Sequence, residues 1–198
     1  MIPLGAQVEL ALVHYPVANK NGETIGSAVT NLDIHDIARA GRTFGIAKYH
    51  IVTPYEDQQQ LVAAILDHWL TGRGSVYNGK RKAALSLVRV CASLDELYGQ
   101  SEAEWGRRPT ILATCARPQT NTVGYEAVRQ RLATGERFLL LFGTGWGLTQ
   151  EVMATVDATL PPISGATEYN HLSVRAAAAI VLDRLLGNRE IEDSGEIR

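Results

Sequence analysis

The sequence predicts an α/β fold: a mainly parallel sheet covered by helices on both faces. Three observations predict it. Short apolar runs, QVELALVH at 7–14, IAKYHIV at 46–52, TILATC at 110–115 and FLLLF at 138–142, read as buried strands. Segments with helical spacing of apolar residues separate them, the alternation that a parallel sheet requires. The strands stop at proline or glycine: Thr53-Pro54, Arg117-Pro118, the Gly143, Gly145, Gly147 run, and Pro161-Pro162. A chain of 198 residues can bury one good core, so residues 1–187 are expected to form a single domain.

Each element has its local reason. After the first strand, Pro16 and NKNGETIG form a loop. Asn31 is placed to cap a helix through LDIHDIARAGRTFG. The second strand leads into an amphipathic helix whose apolar face is Leu61, Ile65, Leu66 and Trp69. A third strand is expected near Leu85–Val90, then a helix opened by the capping pattern Ser93 to Glu96. The fourth strand is followed by the helix YEAVRQRLATGE, with Gly135 as its stop. A very short sixth strand begins near Ala158–Leu160, and the last helix spans about His171 to Leu186, stopped by Gly187. Residues 188–198, with Glu190, Glu192, Asp193 and Glu196, are expected to be a disordered acidic tail.

Composition narrows the function classes. Hydrophobic content of 45% with 20% charged residues is that of a soluble globular protein. No apolar stretch reaches the length of a membrane span; the run Ala176–Leu182 is bounded by Arg175 and Asp183. The start MIPLGAQVEL lacks the basic-then-apolar pattern of a signal peptide, so a cytoplasmic location is expected. Cys91 and Cys115 lie in apolar runs and read as buried reduced thiols. A net charge of −2 argues against nonspecific coating of nucleic acid, yet leaves a specific RNA substrate open through a local basic patch. Arg73 with Lys80, Arg81 and Lys82 is the best candidate for one; a solvated loop before a strand is the plainer reading.

Candidate chemistry gathers in three places. In GTGWG the third glycine comes one residue early for G-x-G-x-x-G, and the lysine of a P-loop is missing. Its backbone can still approach a ligand closely, with Trp146 either walling a flat ring or plugging the core. Pro161-Pro162 stiffens a second loop, after which Tyr169, Asn170, His171 and Ser173 surround a helix start; Asn170 as a helix cap is the plainer reading. The third place, residues 30–45, concentrates Asp33, His35, Asp36, Arg39 and Arg42 at spacings that commonly give surface ion pairs. His14, His50 and His68 are isolated, no residue set has metal-ligand spacing, and no nucleophile elbow is present, so no metal is expected.

Taken together, NLDIHDIAR, LLFGTGWGL and LPPISG…YNHLSVRAAAAIVLDRLL resemble the SPOUT class of S-adenosylmethionine-dependent RNA methyltransferases, in a bacterial branch related to the tRNA guanine methyltransferases. The resemblance implies a C-terminal segment threaded into a deep trefoil knot. It also implies S-adenosylmethionine bound in the knot, S-adenosylhomocysteine as product, and a tRNA or rRNA substrate methylated on a base nitrogen or a ribose hydroxyl. The implied cofactor loops are Thr114–Arg117 (Thr114, Cys115, Ala116), the glycine loop (Phe142, Gly143, Thr144, Gly145, Trp146, Gly147, Leu148), and Leu160–Ser173 (Leu160, Pro161, Pro162, Ile163, Gly165, Asn170, His171, Leu172, Ser173). Arg39 is implied as the catalytic residue with Asn31 positioning it, and Asp33, Asp36 and His35 stand nearby as candidate bases. A homodimer is implied, each site borrowing residues from the other subunit, with the alanine-rich Arg175–Leu182 face suited to close packing. Many relatives that methylate ribose carry an acidic residue where this chain has Gly145 or Trp146. Two other readings stay open: a non-catalytic SPOUT-fold binding protein, and a flavodoxin-like nucleotide-binding protein.

Overall fold

In the computed structural model, residues 4–188 are described; the expected acidic tail lies outside them apart from Asn188. Six strands form one sheet in the order β5-β4-β1-β7-β6-β8. These are β1 (Val8–Val13), β4 (Lys48–Val52), β5 (Val88–Cys91), β6 (Thr110–Ala113), β7 (Phe138–Gly143) and β8 (Ala158–Thr159). Every pairing in that sheet is parallel. β1 and β7 lie side by side at its centre, and all six residues of β1 are buried.

Strand periodicity divides the core between two faces. Val8, Leu10 and Leu12, with Phe138, Leu140 and Phe142, meet helix α1 (Asn31–Phe44) and the last helix α8 (Val174–Leu186). The same face carries α2 (Glu56–Leu70) and α4 (Gly79–Leu85), packed through Val62, Ala84 and Leu85, and α6 (Tyr125–Ala133), through Val128 and Leu132. Ala11, Val13, Leu139 and Leu141 face the opposite way, against Leu94 and Leu97 of α5 (Leu94–Trp105) and Val152 of α7 (Gln150–Thr155). Glu9 also points to that side, where its carboxylate accepts from Ser101 Oγ at 2.6 Å and pairs with His50 Nε2 at 3.1 Å. Burial opposes its charge, but the bonds from His50 and Ser101 outweigh burial and hold the carboxyl below its usual value.

The C-terminal part of the chain is threaded. On one side of β8, Leu160 N donates to the Ala113 carbonyl at 2.9 Å. On the other, Thr159 N donates to the Asn121 carbonyl at 2.7 Å and Val123 N to the Thr159 carbonyl at 2.9 Å. β8 is thus clasped between β6 and residues 121–123, and the chain leaving it reaches α8, which packs on α1. A strand held on both flanks just before the last helix is the arrangement a trefoil knot requires.

Several expectations shift. Thr30, not Asn31, caps α1: its Oγ1 accepts from Asp33 N at 3.2 Å, and Asn31 is the first helical residue. Asn170 does not cap α8, which begins at Val174 with Ser173 as its cap. The basic segment is helical, with α3 (Arg73–Tyr77) preceding α4, so the third strand starts only at Val88. Leu61, assigned to the apolar face of α2, is 41% exposed, while Val62 is the buried residue there. Cys91 is buried as expected, but Cys115 is partly exposed. A hairpin of β2 (Val17–Ala18) and β3 (Thr24–Ile25), and helix α7, are additions that no periodicity announced. Short elements like these are held by tertiary contacts rather than by pattern.

Two glycines test the packing. A Cβ on Gly5 would lie 2.3 Å from the Phe44 carbonyl oxygen, which is backbone and cannot yield. Gly5→Ala is expected to cost about 1–3 kcal/mol. Around Gly99, inside α5, a Cβ meets nothing within 4 Å, and Gly99→Ala is expected to gain about 0.5–1 kcal/mol. Urea unfolding of the two variants beside the wild type measures both.

Candidate functional site

Because β1, β7, β6 and β8 are neighbours and parallel, the loops that follow them emerge together at one end of the sheet. The strand order also reverses direction there. The chain leaves β1 through α1 toward β4, and leaves β7 through α7 on the opposite face toward β8. Such a switch point at the carboxyl ends of parallel strands opens a crevice suited to ligands. The glycine loop, residues 143–148, sits directly on it.

The loop is tightly held despite its glycines. Trp146 N donates to the Ala18 carbonyl at 3.1 Å and Ala18 N to the Gly147 carbonyl at 2.9 Å, so the β2–β3 hairpin buttresses it. Gly145 and Gly147 have φ of +60° and +105°, conformations that side chains other than glycine rarely take. This backbone presses the Trp146 side chain outward, where it is 65% exposed; it is no core plug. Beside it, Thr114 Oγ1 donates to the Leu141 carbonyl at 3.2 Å. Asn170 Nδ2 donates to the Ala116 carbonyl at 2.9 Å, tying the third loop to the first. Tyr125 OH donates to the Pro161 carbonyl at 3.1 Å. Among the described residues, no backbone group between Pro162 and Leu172 pairs with another backbone group.

Beneath the glycine loop runs a half-buried polar chain, ending on the buried His14, that sequence spacing did not reveal. Thr144 Oγ1 donates to the Val13 carbonyl at 2.9 Å, so it accepts from Ser27 Oγ, and Ser27 accepts from His14 Nδ1 at 3.0 Å. All three bonds are made only when the His14 proton sits on Nδ1. Nε2 is then a buried acceptor with no partner among the described residues. Burial pushes the ring's pKa down to about 4, so His14 is neutral. Ser27 and Thr144 are 117 residues apart in sequence, and His14 read in isolation carried no signal of either.

The predicted catalytic residues of α1 divide into two groups. Asp33 is buried, accepting from Thr30 Oγ1 at 2.6 Å and pairing with Arg175 Nη1 of α8 at 3.3 Å. Its role in the fold is to anchor the threaded helix, and Arg175 also reaches Asp36 at 3.7 Å. Asn31, His35, Asp36 and Arg39 instead line a groove of about 500 Å³ between α1, α2 and α4. Asn31 and Arg39, eight residues apart, are separated by about 12 Å of helix rise. The Arg39 guanidinium pairs with Asp36 at 3.8 Å rather than with Asn31. Across the groove, Arg81 lies 4.5 Å over the Trp69 ring, with His35 and His68 edge-on to the same indole. Burial and the charge of Arg81 lower the His35 pKa. Among the described residues, no cluster of three His, Cys, Asp or Glu is arranged to hold a metal. No helix there is long and apolar enough to cross a membrane.

Residues 7–187 match the model of the SAM-dependent RNA methyltransferases. The chain belongs to that family. It is 47% identical over 93% of its length to the tRNA (guanine-N(1)-)-methyltransferase of Oleidesulfovibrio alaskensis, but spans only 43% of that longer protein. An uncharacterized protein of Aquifex aeolicus is 41% identical, with 96% of this chain and 94% of that protein covered. Two solved structures share the fold. TrmJ from Z. mobilis superposes with a TM-score of 0.56 at 18% identity, over 96% of this chain and 71% of that one. The SpoU methyltransferase AviRb from Streptomyces viridochromogenes, in complex with AdoMet, gives 0.56 at 16% identity, over 92% and 60%. The family match bears out the S-adenosylmethionine-dependent RNA methyltransferases that the sequence resembles, and the two structures bear out the fold.

The titration of His14 gives a stability test. The unfolded ring takes up its proton near pH 6.5, the folded ring only near 4. Between those values the unfolded state binds more protons, so stability falls as pH drops through the window, by up to about 3 kcal/mol. Urea unfolding at pH 7 and at pH 4 should show that the loss shrinks by this amount in His14→Gln; an unchanged loss would contradict a buried neutral ring.

Proposed function

We propose that this chain transfers a methyl group from S-adenosylmethionine to a tRNA or rRNA, working as a homodimer. The observation that carries the reading is the convergence of three loops, 114–117, 143–148 and 160–173, on the switch point of a threaded parallel sheet. Their chemistry fits an adenosyl group. The unpaired backbone of residues 162–172 offers donors and acceptors to the edge of an adenine, and the exposed Trp146 offers a flat wall. In this reading Thr114, Cys115 and Ala116, Phe142–Leu148, Leu160–Ile163, Gly165 and Asn170–Ser173 surround the cofactor. The Asn170 bond to Ala116 joins two of the loops.

Bound cofactor supplies a methyl on a sulfonium, already attached to a good leaving group. The chain must bring the acceptor within about 3–3.5 Å of it, in line with the breaking bond. As the carbon–sulfur bond breaks and a bond to nitrogen or oxygen forms, the acceptor's proton passes to a base. Arg39 sits on the exposed side of α1; in this reading it holds RNA and reaches the pocket of the partner subunit. Its charge suits a phosphate or an acceptor bearing developing negative charge better than it suits proton abstraction. Asp36 and His35 flank it as candidate bases. Asp33 is less suited, because Arg175 and Thr30 already engage its carboxylate. Packing of the small-residue face of α8 against its copy accounts for the dimer.

The tRNA guanine name belongs to relatives more than twice as long, so the modified nucleotide is a separate question. Mass spectrometry of RNA from a deletion strain identifies it. In thermal-shift assays S-adenosylhomocysteine is expected to raise the melting temperature, whereas flavin or nucleotides are not. Arg39→Ala is expected to abolish methyl transfer to RNA while calorimetry shows cofactor affinity nearly unchanged. Loss of cofactor binding in that variant would show that Arg39 serves the cofactor pocket and not the RNA. Gly145→Val, forced into a positive φ, is expected to weaken cofactor binding at least tenfold with RNA affinity preserved.

A further inference from the structure

We propose that the groove between α1, α2 and α4 is a nucleotide subsite for single-stranded RNA, in which Trp69 and Arg81 hold a nucleobase and Arg39 a phosphate. The inference rests on the reading of the chain as an RNA methyltransferase, and adds a substrate-binding site outside the cofactor loops. The groove's volume, about 500 Å³, lies within the range of small-ligand clefts. Leu32, Ala64, Ile65 and Trp69 give its apolar lining, and Arg39 and Arg81 its two guanidinium groups.

The charge is left uncompensated on one side. Among the described residues no carboxylate pairs with Arg81; its contact is the face of Trp69 at 4.5 Å. Asp36, the one acid lining the groove, is shared between Arg39 and Arg175. A guanidinium stacked on an indole presents a second flat face and free N–H donors, which match a base plane and a phosphate. His35 and His68 pack edge-on against the indole and fix its plane. The adjoining surface continues the pattern. Lys80 and Lys82 are outward on α4, and Tyr77 of α3 is 89% exposed, an aromatic platform beside cations.

A second copy of the chain is the rival occupant, since Leu32, Val76 and Tyr77 are exposed apolar groups. A two-fold contact centred on the groove would bring the guanidinium groups of both copies together, whereas RNA brings the opposite charge. The chemistry therefore selects RNA.

The test uses a fluorescein-labelled ten-nucleotide oligoadenylate and bulk tRNA as probes, with full-length protein. Arg81→Glu is expected to weaken binding of both about tenfold or more by anisotropy, and Arg81→Lys by less. Affinity for S-adenosylhomocysteine should stay within twofold and the mass in light scattering should not change. In a Trp105→Phe, Trp146→Phe background, Trp69 alone reports, and the oligonucleotide is expected to quench it. Unaltered RNA affinity in Arg81→Glu, unquenched Trp69, or a changed mass with RNA binding intact each overturns the subsite. Wild type that binds S-adenosylhomocysteine while Arg81→Glu leaves RNA binding untouched sinks the groove alone. Wild type that binds RNA through Arg81 but takes up no S-adenosylhomocysteine supports the groove and sinks the methyltransferase reading.

Discussion

The parallel pairing of β7 between β1 and β6 is the constraint on which the rest depends. Phe138 aligns with Val8 on one side and Thr110 on the other, so three strands far apart in sequence end at one level. The glycine loop inherits its place from that register. A slip of one residue would send Leu139 and Leu141 to the wrong face, dismantling both halves of the core. Few positions in the chain are specified so heavily by packing on two sides.

Threading adds a second constraint that the sheet alone does not supply. β8 is only two residues long, yet it is bonded on both flanks, to Ala113 and to residues 121–123. The helix beyond it is anchored by the Arg175–Asp33 pair, which ties the last described element to α1. Asp33 thus serves the architecture, and its burial follows from that duty. An acid on the open face of the same helix, Asp36, keeps its solvent access while pairing with Arg39 and Arg175.

Below the glycine loop, the His14–Ser27–Thr144 chain shows how a polar path is buried at tolerable cost. Each hydroxyl both donates and accepts, and the unmet demand is confined to one ring nitrogen. That chain links the end of β1, the approach to α1 and the glycine loop, so the loop and the first α-helix are built on shared foundations.

The sequence by itself determined the alternation of strands and helices, the glycine and proline breaks, and the family, because these reside in local periodicity and contiguous motifs such as LLFGTGWGL. It misplaced what depends on neighbours distant in the chain. Thr30 took the cap from Asn31 because its extended backbone aims Oγ1 at Asp33 N, and Asn170 left the helix end to bridge to Ala116. The segment around Arg81 reads as a loop by composition, yet Ala84 and Leu85 are buried against the core and fold it as a helix. Only the tertiary structure decided which acid is an anchor, which histidine is buried, and that Trp69, Arg81 and Arg39 share a groove. Spacing rules reach one turn of helix or one step of strand; burial and charge pairing across more than a hundred residues lie beyond them.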